Sequence, residues 1–199
     1  MKTKDKILAA ARLLFNERGV SNLSALDIAT AMGISPGHLY YHFRGKPEIV
    51  AALVGEHERE VGLVLGAALA NCQGKDATIE TFWTHLHILV EEAYDARFFY
   101  REAGALVRLH PEVAPAMRRV VAAERAALAS MLAAMARRGA IKAEPEIIDG
   151  LSRLLVTGIG FHALELELEG DSSPHTERVA RTAAQLVLAV AALSPRKRR

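Results

Sequence analysis

The stretch Ser35-Pro36-Gly37-His38-Leu39-Tyr40-Tyr41-His42-Phe43 sets two histidines and two tyrosines behind a serine, a proline and a glycine. Residues of these types suit contact with a polyanion better than bond making. Pro36 and Gly37 add little bulk, so the start of a helix here can come close to base edges, and its first-turn N–H groups point toward incoming phosphates. Catalysis has no comparable candidate. The chain holds no phosphate loop, GxSxG elbow or HExxH motif, and its single cysteine, Cys72, has no evident histidine partner. No metal or cofactor is expected either. His85 and His87, two apart on a helix, lie about 200° apart around its axis, while His162 and Glu165, three apart, have no third ligand in view.

These groups can act only if neighbouring elements hold their helix outward. Leu39 and Phe43, four apart, would pin it to a core of Leu8, Phe15, Ile28 and Ala29, leaving Pro36, Gly37, His38, Tyr40, Tyr41 and His42 at or around the outer face. Two earlier helices supply that core. Ile7, Leu8, Ala11, Leu14 and Phe15 recur at helical spacing between Thr3 and Arg18, and Gly19 ends the run. Ser24 caps a second, short helix with Asp27 three residues on, and Gly33 stops it with Ile34 placed for the apolar contact of a Schellman motif. Ser35 caps the third helix with Pro36 at its first position. Two short helices joined through Gly33-Ile34-Ser35 have the form of a helix-turn-helix.

With those elements in place, Ser24 to Ala29, Gly33 to Phe43 and Lys46-Pro47-Glu48-Ile49 together resemble the N-terminal signature of the tetracycline-repressor (TetR-like) transcription factors. The match covers about residues 5–54, and the Leu39-Tyr40-Tyr41-His42-Phe43 run with Lys46 three residues later is its most specific part. The resemblance implies that Pro36, Gly37 and Tyr40 approach bases. It also implies that His38, Tyr41, His42 and Lys46 clamp phosphates, with Ser24 and Ala25 near the backbone. The chain departs from the pattern at Leu26, where a basic residue is common, and at His38, which replaces a commoner Thr or Ser. Sparse base readout, partly through DNA shape, is expected.

Charge supports a division of labour along the chain. Residues 1–47 carry seven Lys/Arg against three acids, +4; residues 48–195 carry fourteen against twenty, −6; and Arg196, Lys197, Arg198 and Arg199 restore +4, leaving a net +2. A basic head on an acidic body suggests that only the head meets a polyanion. With 51% apolar residues, 24% charged residues and one cysteine in 199 residues, the chain is neither disordered nor disulfide-stapled. No stretch reaches the roughly 18 apolar residues of a membrane helix, so the expected location is the cytoplasm.

Beyond Pro47 the punctuation predicts a long helix to about Cys72, roughly 39 Å at 1.5 Å per residue. Further helices follow from Asp76 to Ala93, Asp95 to about Leu109, Pro111 to Gly139, Pro145 to about Glu169, and Pro174 to about Leu193. The expectation is an all-α chain of about nine helices. Residues 1–46 form the helix-turn-helix DNA-binding domain, 47–195 the ligand-sensing and dimerisation domain, and 196–199 a basic tail. The last two helices are more apolar than one face requires, which assigns Ile148, Leu151, Leu155, Gly158, His162, Leu186, Val187 and Val190 to a homodimer interface. The resemblance implies a four-helix bundle there, and two-fold symmetry puts two readers about 34–36 Å apart on an inverted repeat of double-stranded DNA.

For sensing, Trp83, His87, Val90, Tyr94, Phe98, Phe99, Glu102, Met117, Val121 and Phe161 would give an apolar pocket with a few polar handles, suited to a small hydrophobic or aromatic effector. The residues Arg97 to Glu102 could equally join the sensing helices to the long one. Control by a protein partner without small ligand, or a helical carrier of hydrophobic molecules, are the alternatives to a ligand-responsive repressor.

Overall fold

Residues 2–195 are described by the structure, a computed structural model; the basic tail expected at 196–199 lies outside them. Every regular element among the described residues is helical: α1 Thr3–Arg18, α2 Ala25–Ala31, α3 Pro36–His42, α4 Lys46–Asn71, α5 Ile79–Asp95, α6 Arg97–Arg101, α7 Ala103–Leu109, α8 Ala114–Arg138, α9 Pro145–Leu168 and α10 His175–Ala191. There are ten rather than about nine because the helix expected from Asp95 to about Leu109 breaks at Glu102. The chain divides into two compact units, Met1–Arg59 with Asp95–Arg118, and Glu60–Tyr94 with Arg119–Arg199.

In the first unit, local signals and core agree. The Ser24 hydroxyl accepts from the Asp27 N–H at 3.2 Å, and the Asp27 carboxylate accepts from the Ser24 N–H at 2.7 Å. This reciprocal capping box satisfies two helix-end donors. Bonds to Ser24, first through its side chain and then its backbone, hold the Asp27 carboxyl below its ordinary range. At the other end of α2, Gly33 sits at φ +64, and the Gly33 and Ile34 N–H groups donate to the Thr30 and Ala29 carbonyls. That is the Schellman pair, and the left-handed residue it needs is why a glycine stands there. Ile7, Leu8, Ala11, Phe15, Ile28, Ala29, Leu39 and Phe43 are buried together, so α3 is fixed by its inner face.

The segment Asp95–Arg118 joins this unit through polar contacts that span some eighty residues of sequence. Buried Asn16 donates from its amide to the Asp95 carbonyl at 2.8 Å and accepts from the Phe98 N–H at 3.0 Å. Phe98 meets Phe15 with ring centroids 6.0 Å apart. The Glu102 carboxylate accepts from the Val20 N–H, the Ser21 N–H and the Ser21 hydroxyl at 2.6, 3.1 and 2.9 Å. Holding that side chain against the loop after α1 goes with a backbone at φ −110, ψ 19, and helix α6 gives way to α7 there.

His57, in the middle of α4, is a buried titratable group of this unit, more fully enclosed than His110. Its Nε2 shares a 3.0 Å hydrogen bond with the Tyr100 hydroxyl, its ring lies 4.8 Å from that of Phe99, and its Nδ1 is buried without a hydrogen-bond partner. Burial, with Arg12 nearby adding to it, lowers its pKa from the ordinary 6.5 to about 4. The unfolded chain therefore binds more protons between those values. Stability is full above about pH 6.5 and falls as pH drops toward 4, by about 3 kcal/mol from this group. Urea titrations across that range should show the loss, and His57→Gln should flatten it; equal slopes in both proteins would contradict the assignment.

The second unit is built on α5, the later part of α4 and of α8, and the α9–α10 pair. Phe82, Leu86, Leu89 and Val90 bury one face of α5, and Leu128, Met131, Leu132 and Met135 bury one face of α8. A Cβ at Gly158 would collide with Leu186, so the glycine sets how closely α9 meets α10. Arg125 and Arg153 both pair with Asp149 at the surface, and the side-chain bond from Arg125 is the leading cause that lowers its pKa.

Candidate nucleic-acid interface

Helix α3 has only one fully buried side chain, Leu39, and presents the rest of its length outward. The Ser35 hydroxyl accepts from the His38 N–H at 3.2 Å, which closes the first turn and leaves Pro36 and Gly37 at an unobstructed end. A Cβ at Gly37 would meet nothing within 4 Å. Tyr41 is 85% exposed and Tyr40 51% exposed, high values for phenol rings. The rings of His38 and His42 lie 5.5 Å apart, and Tyr41 meets His42 edge-on at 5.1 Å. One continuous surface of donors and flat rings results.

Around it, the two flanking helix ends add further contacts. Ser24 is exposed at the start of α2, while the Ala25 side chain is buried, so position 25 can offer only its backbone outward. Lys46 is half-buried, and its ammonium donates to the Val20 carbonyl at 3.0 Å. That bond positions the lysine and leaves two of its three N–H donors. Arg44, an exposed cation one residue beyond Phe43, is a further candidate that was not among the expected contacts. Its position between the end of α3 and Gly45 was the available signal. Its N–H is bonded by the Glu48 carboxylate at 2.7 Å, which fixes the turn into α4.

The residues expected to line a pocket are divided between the units. Phe98, Phe99, Glu102 and Met117 belong to the first, where the two phenylalanines are buried and Glu102 anchors the α1 loop. Trp83, His87, Val90, Tyr94, Val121 and Phe161 belong to the second. There Trp83 and His87 pair at 5.3 Å, Val90 is fully buried, and Trp83, Val121 and Phe161 reach the surface. A separate cavity of about 550 Å³ is lined by Leu69, Cys72, Gln73, Lys75, Arg137 and Arg138 among others, and by none of these candidates.

The expected interface residues also separate. Leu151, Leu155, His162 and Val190 are buried within the unit, Gly158 and Leu186 meet each other, and Ile148 and Val187 are half-buried. Facing outward on α9 instead are Ile147, Leu154 and Phe161, spaced by seven residues, with Leu188 on α10. Seven-residue spacing returns a side chain to the same helix face and could have been read from the sequence. Among the described residues no group of three His, Cys, Asp or Glu side chains could hold a metal, and no helix is long and apolar enough to cross a membrane.

A capped three-helix head whose last helix presents an outward, donor-rich face defines a helix-turn-helix regulator of the DNA-binding class. The family follows from comparison. The sequence profile described as "Bacterial regulatory proteins, tetR family" matches residues 7–53, and the TetR profile "Bacterial transcriptional repressor" matches residues 64–199. The chain belongs to the TetR family of transcriptional regulators and is not an enzyme.

Among curated relatives it is 30% identical over 105 residues to the probable HTH-type transcriptional regulator YttP of Bacillus subtilis, and 29% identical over 112 residues to the HTH-type transcriptional regulator UidR of Escherichia coli K12. These matches take in 51% and 56% of this chain, and the chain spans about half the length of each relative, 51% and 55%. A crystal structure of a TetR-family transcriptional regulator from Marinobacter aquaeolei VT8 matches along 100% of this chain and 94% of its own, with 27% identity and a TM-score of 0.85.

Proposed function

We propose that this regulator is a cytoplasmic, ligand-responsive repressor that binds an inverted-repeat operator as a homodimer and leaves it when a small hydrophobic or aromatic effector occupies the body. The observation that carries the DNA half is the outward face of α3, where Tyr40 and Tyr41 are exposed beside an unobstructed Gly37. Pro36, Gly37 and Tyr40 would approach bases; Ser24, the Ala25 backbone, Ser35, His38, Tyr41, His42 and Lys46 would position phosphates, joined by Arg44. Dimerisation is supported by the outward Ile147, Leu154, Phe161 and Leu188, large apolar side chains that a lone helix pair would leave in water.

Release by effector would be a population shift. The ligand binds better to body conformations in which the two heads no longer match successive major grooves, and affinity falls by the ratio of those affinities. A gel shift with the DNA upstream of the protein's own gene tests the reading. Tyr41→Ala and Lys46→Ala should each weaken binding across sequences by about five- to tenfold and make it less steeply salt-dependent for the lysine. Unchanged affinity in both variants would overturn the site assignment.

A further inference from the structure

We infer that the second unit carries a receptor for the carboxylate of a small organic acid, built from Tyr94, His162, Ser173, His175 and Arg178. This rests on the reading of the body as the effector sensor and adds the effector's charge. His162 is only 2% exposed, and its Nδ1 lies 2.5 Å from the Ile159 carbonyl. A neutral ring with its proton on Nδ1 donates there, so Nε2 is left as a bare nitrogen, buried and without a hydrogen-bond partner. The Ser173 hydroxyl, His175 Nδ1 and Arg178 Nε are buried and unpartnered as well. Tyr94 ties the group together. Its ring lies 4.3 Å from that of His175 and 6.2 Å from that of His162, and its hydroxyl accepts from Arg178 at 2.5 Å.

Three unsatisfied buried polar atoms lie on side chains that meet one tyrosine, and a fourth, the Ser173 hydroxyl, lies in the loop just before α10, bonded through its N–H to the same Asp171 whose carbonyl accepts from Arg178. That is more than packing explains, since buried polar groups are nearly always bonded. The charges say what would satisfy them. Among the described residues Arg178 donates to the Tyr94 hydroxyl and, at 3.3 Å, to the Asp171 carbonyl, and no carboxylate pairs with it. The neighbouring Asp171 carboxylate is occupied by Arg181 and the Ser173 N–H. Among the described residues the cluster therefore has one permanent cation without a carboxylate partner, a hydroxyl, and two imidazoles. Burial chiefly holds His162 below its ordinary range, with His175 adding to this and the Ile159 bond opposing it.

A singly charged carboxylate accepts from Arg178 Nε and the Ser173 hydroxyl, and its field favours the protonated His162 ring, whose bare Nε2 then becomes a donor to it. A dianionic phosphate would exceed the single fixed charge.

The test uses the full chain without DNA. Acetate, benzoate and octanoate are titrated while the unfolding temperature and the histidine Cε1–H resonances are followed, with benzyl alcohol as the uncharged control. Expected is a rise in unfolding temperature and downfield movement of the His162 resonance with carboxylates alone, and at least about tenfold weaker binding in Arg178→Gln. If Arg178→Gln does not fold, His162→Gln carries the same comparison. Carboxylates that leave both readouts unchanged, or that bind the variant as tightly, would overturn the receptor. Operator binding is scored separately by gel shift, so its survival would confine the failure to the receptor, and its loss would count against the repressor reading itself.

Discussion

Gly37→Leu is expected to weaken operator binding about thirtyfold, roughly 2 kcal/mol, while leaving the head as stable as before. The two effects separate because of where the glycine stands. It occupies the first turn of α3, where a Cβ meets nothing within 4 Å, so a leucine gains helix propensity and clashes with no part of the chain. What it blocks lies outside the protein. If the start of α3 enters the major groove, the added side chain holds the backbone away from base edges and costs contacts on both half-sites. Fluorescence anisotropy with a labelled duplex, beside urea denaturation, reads the two quantities independently. A variant equally stable and equally tight on DNA would mean that the helix start does not approach the bases.

Leu154→Glu combined with Phe161→Glu should have the larger effect on assembly. These residues are 56% and 49% exposed, seven apart on one face of α9, so two carboxylates there should cost the folded chain little. Across a two-fold axis each would face its copy or an apolar partner, and burying unpaired charge costs several kcal/mol. The expected result is a monomer by analytical ultracentrifugation at concentrations where the parent chain is a dimer. Operator affinity should fall by about a hundredfold or more, because the second head no longer binds at the effective concentration set by the first. A variant that stays dimeric would place the interface elsewhere.

The head was readable in the sequence because its determinants are local. Ser24 and Ser35 as caps, Gly19 and Gly33 as stops, and the four-residue spacing of Leu39 and Phe43 each act within a few residues, and each does so in the structure. Helix boundaries in the body were readable for the same reason, since Gly139, Pro145 and Pro174 punctuate without reference to distant partners.

Contacts across long sequence separations were not readable. Nothing in the Arg97-Phe98-Phe99-Tyr100-Arg101-Glu102 string announces that Glu102 will bond a loop some eighty residues earlier, and the break between α6 and α7 falls at that residue. The pocket candidates suffered similarly, because an aromatic side chain that packs on α1 has the same helical spacing as one that lines a cavity. Within α9, apolar content alone could not separate Leu155, which is buried, from Leu154, which faces out. The cluster around Tyr94 was invisible because it depends on which buried polar atoms lack partners, a property of the folded arrangement alone.

In the proposed reading, two copies of this chain read an inverted repeat through the outward face of α3. Selection of bound sequences from a random duplex library by the purified protein tests it most directly. The account predicts enrichment of a two-fold symmetric site whose half-sites lie one helical turn apart, about 34–36 Å, bound by two chains and lost in Gly37→Leu. Enrichment of no sequence, with weak binding that disappears in moderate salt, would contradict it.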